Sequence, residues 1–350
     1  MAKPLFREPF PKRLIGGFGM VRVAINGFGR IGRLVLRAGI DSKKIEWVAI
    51  NGVRDAEGSA LLFKYDSVHG RFPGTVKAKK DAIVINGKEI KVFNERDVPE
   101  KLPWKQLKID VLVESSGELR KKEDALAHIK AGAKRVVISA PAKGDEQVSS
   151  VVLGVNDEVL KKNEEIIDSA SCTTNCLMPV LRVLNDNFKV KRAFMTTVHG
   201  YTNDQRVLDG SHKDLRRARA AALNIIPTST GASKAAAKVI PELKGKVEGI
   251  ALRVPVPNGS LIDLVAELEK NVSVEQVNSA MKKASETYLK GILEYTDDPI
   301  VSSDVIGNRH SSIFDAQSTM VLGGNMVKVL AWYDNELGYS QRIVDLIEKL

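Results

Sequence analysis

Val21-Arg22-Val23-Ala24-Ile25-Asn26-Gly27-Phe28-Gly29-Arg30-Ile31-Gly32 joins an apolar run to a complete G-x-G-x-x-G pattern. Residues 21–26 read as a strand, 30–38 (RIGRLVLRA) carry helical periodicity, and 46–51 (EWVAIN) read as a second strand. That is a βαβ unit with the glycines at its first strand-to-helix turn. Glycine there permits a tight turn and a close approach of backbone to a pyrophosphate, while the helix N-terminus aims free N–H groups at the anion. The pattern predicts a dinucleotide site built on Asn26, Gly27, Gly29, Arg30, Ile31 and Gly32.

Outward from this unit the alternation continues. Residues 109–114 (IDVLVE) read as a buried strand, 120–131 as a charged amphipathic helix and 135–139 (RVVIS) as another strand. Doubly wound sheets bind ligands beyond the carboxyl ends of their strands, where Ser115, Ser116, Gly117 and Ser139-Ala140-Pro141 fall. An α/β fold with a parallel, Rossmann-type domain is expected.

At 350 residues the chain has room for two interlocked domains, and 43% hydrophobic with 27% charged residues is ordinary for a protein with a sizeable core. Lys, Arg, Asp or Glu interrupts every apolar run short of the roughly 18 residues of a membrane helix, so no membrane partner is expected. Lys and Arg number 53 against 43 Asp and Glu, a net +10 that favours anionic ligands. The surplus is spread along the chain without the basic and aromatic interleaving of single-strand binders, so nucleic acid is not expected as the main partner. Residues 1–19 lack an apolar stretch long enough for a secretory signal. They read as an N-terminal extension, a short disordered arm or an early-assigned start, with a transit peptide as a further reading.

The chain has only Cys172 and Cys176, four residues apart, which excludes a disulfide framework and points to a reducing compartment. Their flanking TTN and LMP offer no further ligand, and no metal is expected. Residues 165–168 (EIID) read as a strand, and Cys172 opens a helix after the small turn Ser169-Ala170-Ser171. At that position the macrodipole and free N–H groups favour thiolate, which suits a nucleophile. Cys176, one turn further, reads as a packed thiol. Among the five histidines His199 is the best acid/base partner, because it ends the β-rich stretch 189–199 before the polar turn GYTNDQ. Spacing alone leaves open whether it is catalytic or structural.

SASCTTNC around Cys172, TTVHGYTNDQR around His199, HKDLRRARAA at 212–221, IIPTSTGASKA at 225–235, LRVPVPNGS at 252–260 and AWYDNELGYS at 331–340 resemble the phosphorylating glyceraldehyde-3-phosphate dehydrogenase family. INGFGRIGR at 25–33 and KYDSVHGRF at 64–72 extend the similarity from about Val21 to the C-terminus. The resemblance implies that Cys172 attacks the aldehyde, His199 takes the proton, hydride passes to a nicotinamide ring, and inorganic phosphate cleaves the resulting thioester. D-Glyceraldehyde 3-phosphate would thus become 1,3-bisphosphoglycerate, in glycolysis, gluconeogenesis or carbon fixation. Thr202, Asp204 and Arg253 match the family's substrate-phosphate site. Ser171, Thr230, Gly231 and Arg217 match its attacking-phosphate site, with Thr173 nearby. Asn335 matches the residue that binds the nicotinamide carboxamide. The segment 201–223 matches a loop that crosses a subunit interface, which implies a homotetramer. A final helix at about 337–349 is expected to pack back on the nucleotide domain. The implied division is a cofactor domain, 20–171 with 337–350, and an α+β catalytic domain, 172–336, with a mixed or antiparallel sheet. The expected location is the cytoplasm, with a plastid as the second reading.

Two departures bear on the cofactor. NAD-specific members of the family place an acidic residue after the asparagine that ends the second strand, whereas here Asn51 is followed by Gly52. That change removes an acceptor for the ribose hydroxyls and the repulsion that excludes a 2′-phosphate, and Arg54 and Arg96 are candidate cations for such a phosphate. Gly210-Ser211 before HKDL resembles the Ala-Ser of NADP-using photosynthetic members, and the Ser211 hydroxyl can donate to a phosphate. NADP, alongside or instead of NAD, is therefore expected. Ser169 stands where the family usually has Asn. The rival readings are an erythrose-4-phosphate dehydrogenase, which usually lacks the YTNDQ and STG motifs found here, and a non-catalytic nucleic-acid-binding or regulatory protein on the same scaffold.

Overall fold

The computed structural model describes residues 19–96, 98–144, 146 and 148–350. The expectations about residues 1–18 lie outside the described residues. Among those described, nine strands form one sheet in the order Ser149–Ser150, Ile166–Asp168, Arg135–Ile138, Val111–Glu114, Val21–Asn26, Ile45–Asn51, Lys88–Phe93, Ala82–Ile85, Val76–Ala78. The first seven run parallel, and the five from Ile166–Asp168 to Ile45–Asn51 are buried on nearly every residue, as a helix-covered parallel sheet requires. The last two turn back antiparallel and form an edge.

Strand order reverses between Val21–Asn26 and Val111–Glu114: from the first strand the chain moves outward to Ile45–Asn51, and it returns to the other side at Val111. Gly27 and Ser115 therefore sit side by side at the switch point, where a crevice opens beyond the strand ends.

A second sheet of seven strands is mixed, as expected: Ile226–Ser229, Val247–Val254, Val190–Gly200, Ser260–Leu268, Met326–Tyr333, Ser312–Leu322, Leu293–Thr296. Its pairs Val190–Gly200 with Val247–Val254 and Leu293–Thr296 with Ser312–Leu322 are parallel, and the others antiparallel. The helix Cys172–Phe188 lies on one face, packing Leu177, Leu181 and Leu184 into a cluster with Met195, Ile262, Leu264 and Val329. Each such leucine, fully removed from water, contributes about 2 kcal/mol. The helices Ala232–Val239 and Val274–Glu286 extend this cover through Ala236, Val277 and Met281.

The C-terminal helix Leu337–Ile347 returns to the parallel sheet, where Ile343, Val344 and Ile347 join Val35, Leu36 and Ile40 of the helix Arg30–Gly39. Gly39 is required at this crossing, since a Cβ there would come within 2.6 Å of the Trp47 ring. Among the described residues no helix is long and apolar enough to cross a membrane.

Candidate active site

Ser171 caps the helix Cys172–Phe188, its Oγ accepting the Thr174 N–H at 3.1 Å, so Cys172 is the first helical residue. His199 is the penultimate residue of the strand Val190–Gly200, and the parallel register with Val247–Val254 sets Arg253 directly beside it. The result is a cluster: Cys172 Sγ lies 3.4 Å from His199 Nε2, and Arg253 Nη1 lies 2.8 Å from His199 Nδ1. The Gly200 carbonyl, 2.7 Å from Nδ1, also accepts from Arg253 Nη1 at 3.0 Å.

Two neutral tautomers fit these contacts: with Nδ1–H donating to the Gly200 oxygen a bare Nε2 faces the sulfur, and with Nδ1 accepting from Arg253 the Nε2–H faces it. Burial first, and the Arg253 cation second, push the imidazole down to about 3. Burial likewise pushes the Cys172 thiol up, against the opposing pull of Arg253 and of the Thr173 backbone N–H. The helix N-terminus favours thiolate, and desolvation opposes it. Cys176 is fully buried against Ser312, and its thiol is pushed up further.

Of the expected anion-binding groups, Arg217 and Asp204 lie within electrostatic reach of this cluster. Arg217 donates to Thr228 Oγ1 at 2.9 Å and to the Ser229 carbonyl at 3.1 Å, and it pairs with Asp204. Its charge reaches both His199 and Arg253. Thr202 lies in the turn closed by Gln205, Thr230 Oγ1 accepts the Ala232 N–H at 3.3 Å, and Gly231 is the N-cap of the helix Ala232–Val239. Thr173 is used inward instead: its hydroxyl bonds Tyr333 Oη at 3.0 Å.

The dinucleotide crevice passes a direct test of fit. Gly27 has φ +90°, and a Cβ there would fall inside the Ser116 backbone; one at Gly32 would strike the Gly27 carbonyl; one at Gly29 would meet nothing, so the helix N-terminus behind it is open to a phosphate. Ser115 Oγ donates to the Gly27 carbonyl at 2.7 Å and holds the loop. Asn26 is spent internally, donating to Glu114 at 2.6 Å and accepting from Asn51 at 2.7 Å. Gly117, with φ +80°, and Ser139, whose N–H donates to the Glu114 carbonyl, complete the rim, and Ile31 is a half-buried helix residue behind it.

Arg30 departs from its expected place. Its guanidinium is held by Asp66 at 3.0 Å and by both oxygens of Glu336, so it joins the glycine loop to the turn that follows Tyr333 instead of facing the crevice freely. That turn positions Asn335, 5% exposed, whose Oδ1 accepts from Ser260 Oγ at 2.7 Å. At the other end of the crevice Arg96 donates to the Val53 carbonyl at 2.9 Å, beside Gly52, and Arg54 is exposed. Ser211 is exposed on the 201–223 loop, its carbonyl accepting from Arg206; no hydrogen bond joins it to Gly52, Arg54 or Arg96 among the described residues.

Sequence reading missed Tyr333 and Glu336. Tyr333 Oη bridges Thr173 and Thr197 at 3.0 and 2.9 Å, tying the nucleophile helix to the histidine strand, and its ring meets His199 edge-on. Both residues stand in WYDNE beside Asn335, so the motif was seen without their roles. Among the described residues no cluster of His, Cys, Asp and Glu could hold a metal.

Residues 21–122 match the glyceraldehyde 3-phosphate dehydrogenase NAD binding domain, and residues 171–335 match the C-terminal domain of the same family. The chain is 58% identical over 327 residues to the glyceraldehyde-3-phosphate dehydrogenase of Geobacillus stearothermophilus, covering 93% of this chain and 97% of that one. It is 58% identical to glyceraldehyde-3-phosphate dehydrogenase 1 of Bacillus cereus over 93% and 97%. It is also 54% identical to glyceraldehyde-3-phosphate dehydrogenase 2 of Synechocystis over 94% and 98%. With a glycine crevice for a nicotinamide dinucleotide and a cysteine–histidine pair 3.4 Å apart, this chain belongs to the glyceraldehyde-3-phosphate dehydrogenase family.

Proposed function

We propose that the protein oxidises D-glyceraldehyde 3-phosphate to 1,3-bisphosphoglycerate, reversibly, through a thioester on Cys172. The observation that carries this is the 3.4 Å contact between Cys172 Sγ and Nε2 of a neutral His199 ring, with Arg253 beside it. Cys172 Sγ bonds to the aldehyde carbon while its proton passes through Nε2 to the carbonyl oxygen, giving a hemithioacetal. His199 then takes the hydroxyl proton as the carbon gives up hydride, which leaves the thioester. A bound nicotinamide dinucleotide supplies the hydride acceptor. Asn335 orients its carboxamide. An oxygen of inorganic phosphate attacks the thioester carbon, the C–S bond breaks, and Cys172 departs as a thiolate facing Arg253. Arg217, Thr230 and Gly231 hold the attacking phosphate, and Thr202, Asp204 and Arg253 form the substrate-phosphate site. The same reading divides the chain into a cofactor unit, 20–171 with 337–350, and a catalytic unit, 172–336.

Gly52 supports a second element, use of NADP alongside NAD: no side chain projects from that position toward a ribose 2′-substituent, and Arg54 and Arg96 flank it. Initial rates at the reduced-nicotinamide absorbance band, with glyceraldehyde 3-phosphate, with and without phosphate, and with NAD and NADP in turn, test both elements. Phosphate-dependent reduction supports the reaction, and its absence with either cofactor overturns it. Reduction of NAD alone overturns only the NADP element.

A further inference from the structure

Two residues before the nucleophile the backbone does something alanine rarely does. Ala170 has φ +53°, in the left-handed region, and is 1% exposed. This elbow turns the chain from the strand Ile166–Asp168 into the helix that begins at Cys172. Its carbonyl accepts from Tyr339 Oη at 3.1 Å, and Asn175 Nδ2 donates to the Ser169 and Ser171 carbonyls at 2.8 and 3.0 Å. The elbow's own N–H has one acceptor, the side chain of Asp168: Ala170 N donates to Asp168 Oδ1 at 2.8 Å.

Asp168 is a carboxylate where a strand end would ordinarily bury something apolar. It is 1% exposed, and among the described residues no cation reaches it within ion-pair distance. Its second oxygen accepts from Ala142 N at 3.1 Å and Ser150 Oγ at 2.9 Å. Three hydrogen bonds from three segments thus converge on one side chain. Ala142 directly follows Ser139-Ala140-Pro141, the loop on the rim of the cofactor crevice. One carboxylate therefore fixes the nucleophile's elbow and the cofactor's rim relative to each other. Burial pushes Asp168 up, the three donors and the charge of Lys238 pull it back, and Tyr339 is the other titratable group that feels it.

We infer that Asp168 is a positioning residue for the nucleophile: its carboxylate holds the left-handed elbow at Ala170 and so aims Cys172 Sγ at His199 and Arg253. This rests on the reading of Cys172 as nucleophile. In the wild-type chain the strained conformation is held by that bond; glycine at the same place adopts it without the bond.

The test uses substrate-free alkylation of Cys172 by iodoacetamide across a pH series, with Cys176 too buried to react, alongside steady-state kinetics of the full chain. Asp168→Ala removes the acceptor of the Ala170 N–H, whereas Asp168→Asn can keep its amide oxygen on that N–H. Asp168→Ala is expected to raise the midpoint of the alkylation profile by about one pH unit and lower kcat about tenfold, with KM for the dinucleotide changed less than about threefold. Ala170→Gly in the same chain should restore most of both losses. An unchanged alkylation profile in Asp168→Ala overturns the inference. So does a loss that Ala170→Gly leaves untouched, since Asp168 would then act elsewhere than through the elbow. Alkylation needs neither substrate nor cofactor, so its outcome is separate from whether the proposed reaction occurs.

Discussion

Nη1 of Arg253 lies 2.8 Å from Nδ1 of His199, on adjacent parallel strands in matching register. A guanidinium at that distance opposes a second proton on the imidazole, and burial opposes it more strongly. The ring is therefore a free base before substrate arrives, and its Nε2 faces the one thiol it can serve. Replacing it by a side chain of similar shape and no basicity should cost the proton-transfer step alone. His199→Asn is expected to lower kcat by about 10² to 10⁴, with KM for the dinucleotide little changed, in steady-state assays.

The same neutrality sets a stability slope. In the unfolded chain His199 takes its proton near the ordinary histidine value of about 6.5, and in the fold only near 3. Between these values the unfolded state binds more protons, so this contribution is complete above about pH 6.5 and is lost as pH falls toward 3. Thermal unfolding of the wild type and His199→Asn across pH 7 to 4 should show a shallower decline in the variant. The difference approaches about 1.4 kcal/mol per pH unit in the steep region. Parallel curves would contradict it.

Arg30 clamps two segments far apart in sequence, Asp66 and Glu336. Burial alone would raise Asp66, but the His69 and Val68 backbone N–H groups and Arg30 bring it down to about 2. Glu336 is likewise held below the usual range by His69 and Arg30 against burial. Arg30→Ala leaves two largely buried carboxylates without their cation, which should cost about 3 kcal/mol in urea unfolding. Both carboxylates keep their stabilising effect above about pH 4 and lose it as pH falls toward 2, so the penalty of Arg30→Ala should shrink in acid.

Local signals in the sequence made the cofactor crevice legible and left the pairings around the cysteine hidden. The strand before Gly27 and the helix after it carry their own periodicity, and the start of the helix at Cys172 follows from the Ser171 cap, so these elements stand where expected. The hairpin Ala82–Phe93 at the sheet edge was not foreseen, because its strands are short and neither marks a partner in the sequence. Register between distant strands leaves no trace in composition: nothing in the sequence alone pairs His199 with Arg253, or Tyr333 with Thr173 and Thr197. Ser169 departs from the family, yet its carbonyl is bonded by Asn175 and its N–H by the Ile138 carbonyl, so the backbone carries the loop whatever the side chain.

Gly52 decides the cofactor argument. A Cβ at this position would sit 3.3 Å from Phe28 Cβ, tight but open to a small shift, so an aspartate can be accommodated at the head of the crevice. Its charge would repel a 2′-phosphate and accept from ribose hydroxyls. Gly52→Asp should lower kcat/KM with NADP at least about tenfold, roughly 1.4 kcal/mol, and leave or improve kcat/KM with NAD. Equal losses with both cofactors would indicate displacement of Phe28 instead.

The bare face of the mixed sheet bears on assembly. Phe194 is 72% exposed on Val190–Gly200, Ile250 is half-exposed on the neighbouring strand, and Met320 and Leu322 are exposed on Ser312–Leu322. On the 201–223 loop Val207, Leu208, Leu215 and Leu223 are exposed as well. Apolar surface on this scale fits the homotetramer expected from the sequence, in which other chains would cover both regions. Phe194→Glu places a charge on the sheet face, and Leu208→Glu places one on the loop. Each should lower the mass measured by light scattering after size exclusion, from four chains toward two or one. A wild-type protein that elutes as a single chain at micromolar concentration would exclude the assembly.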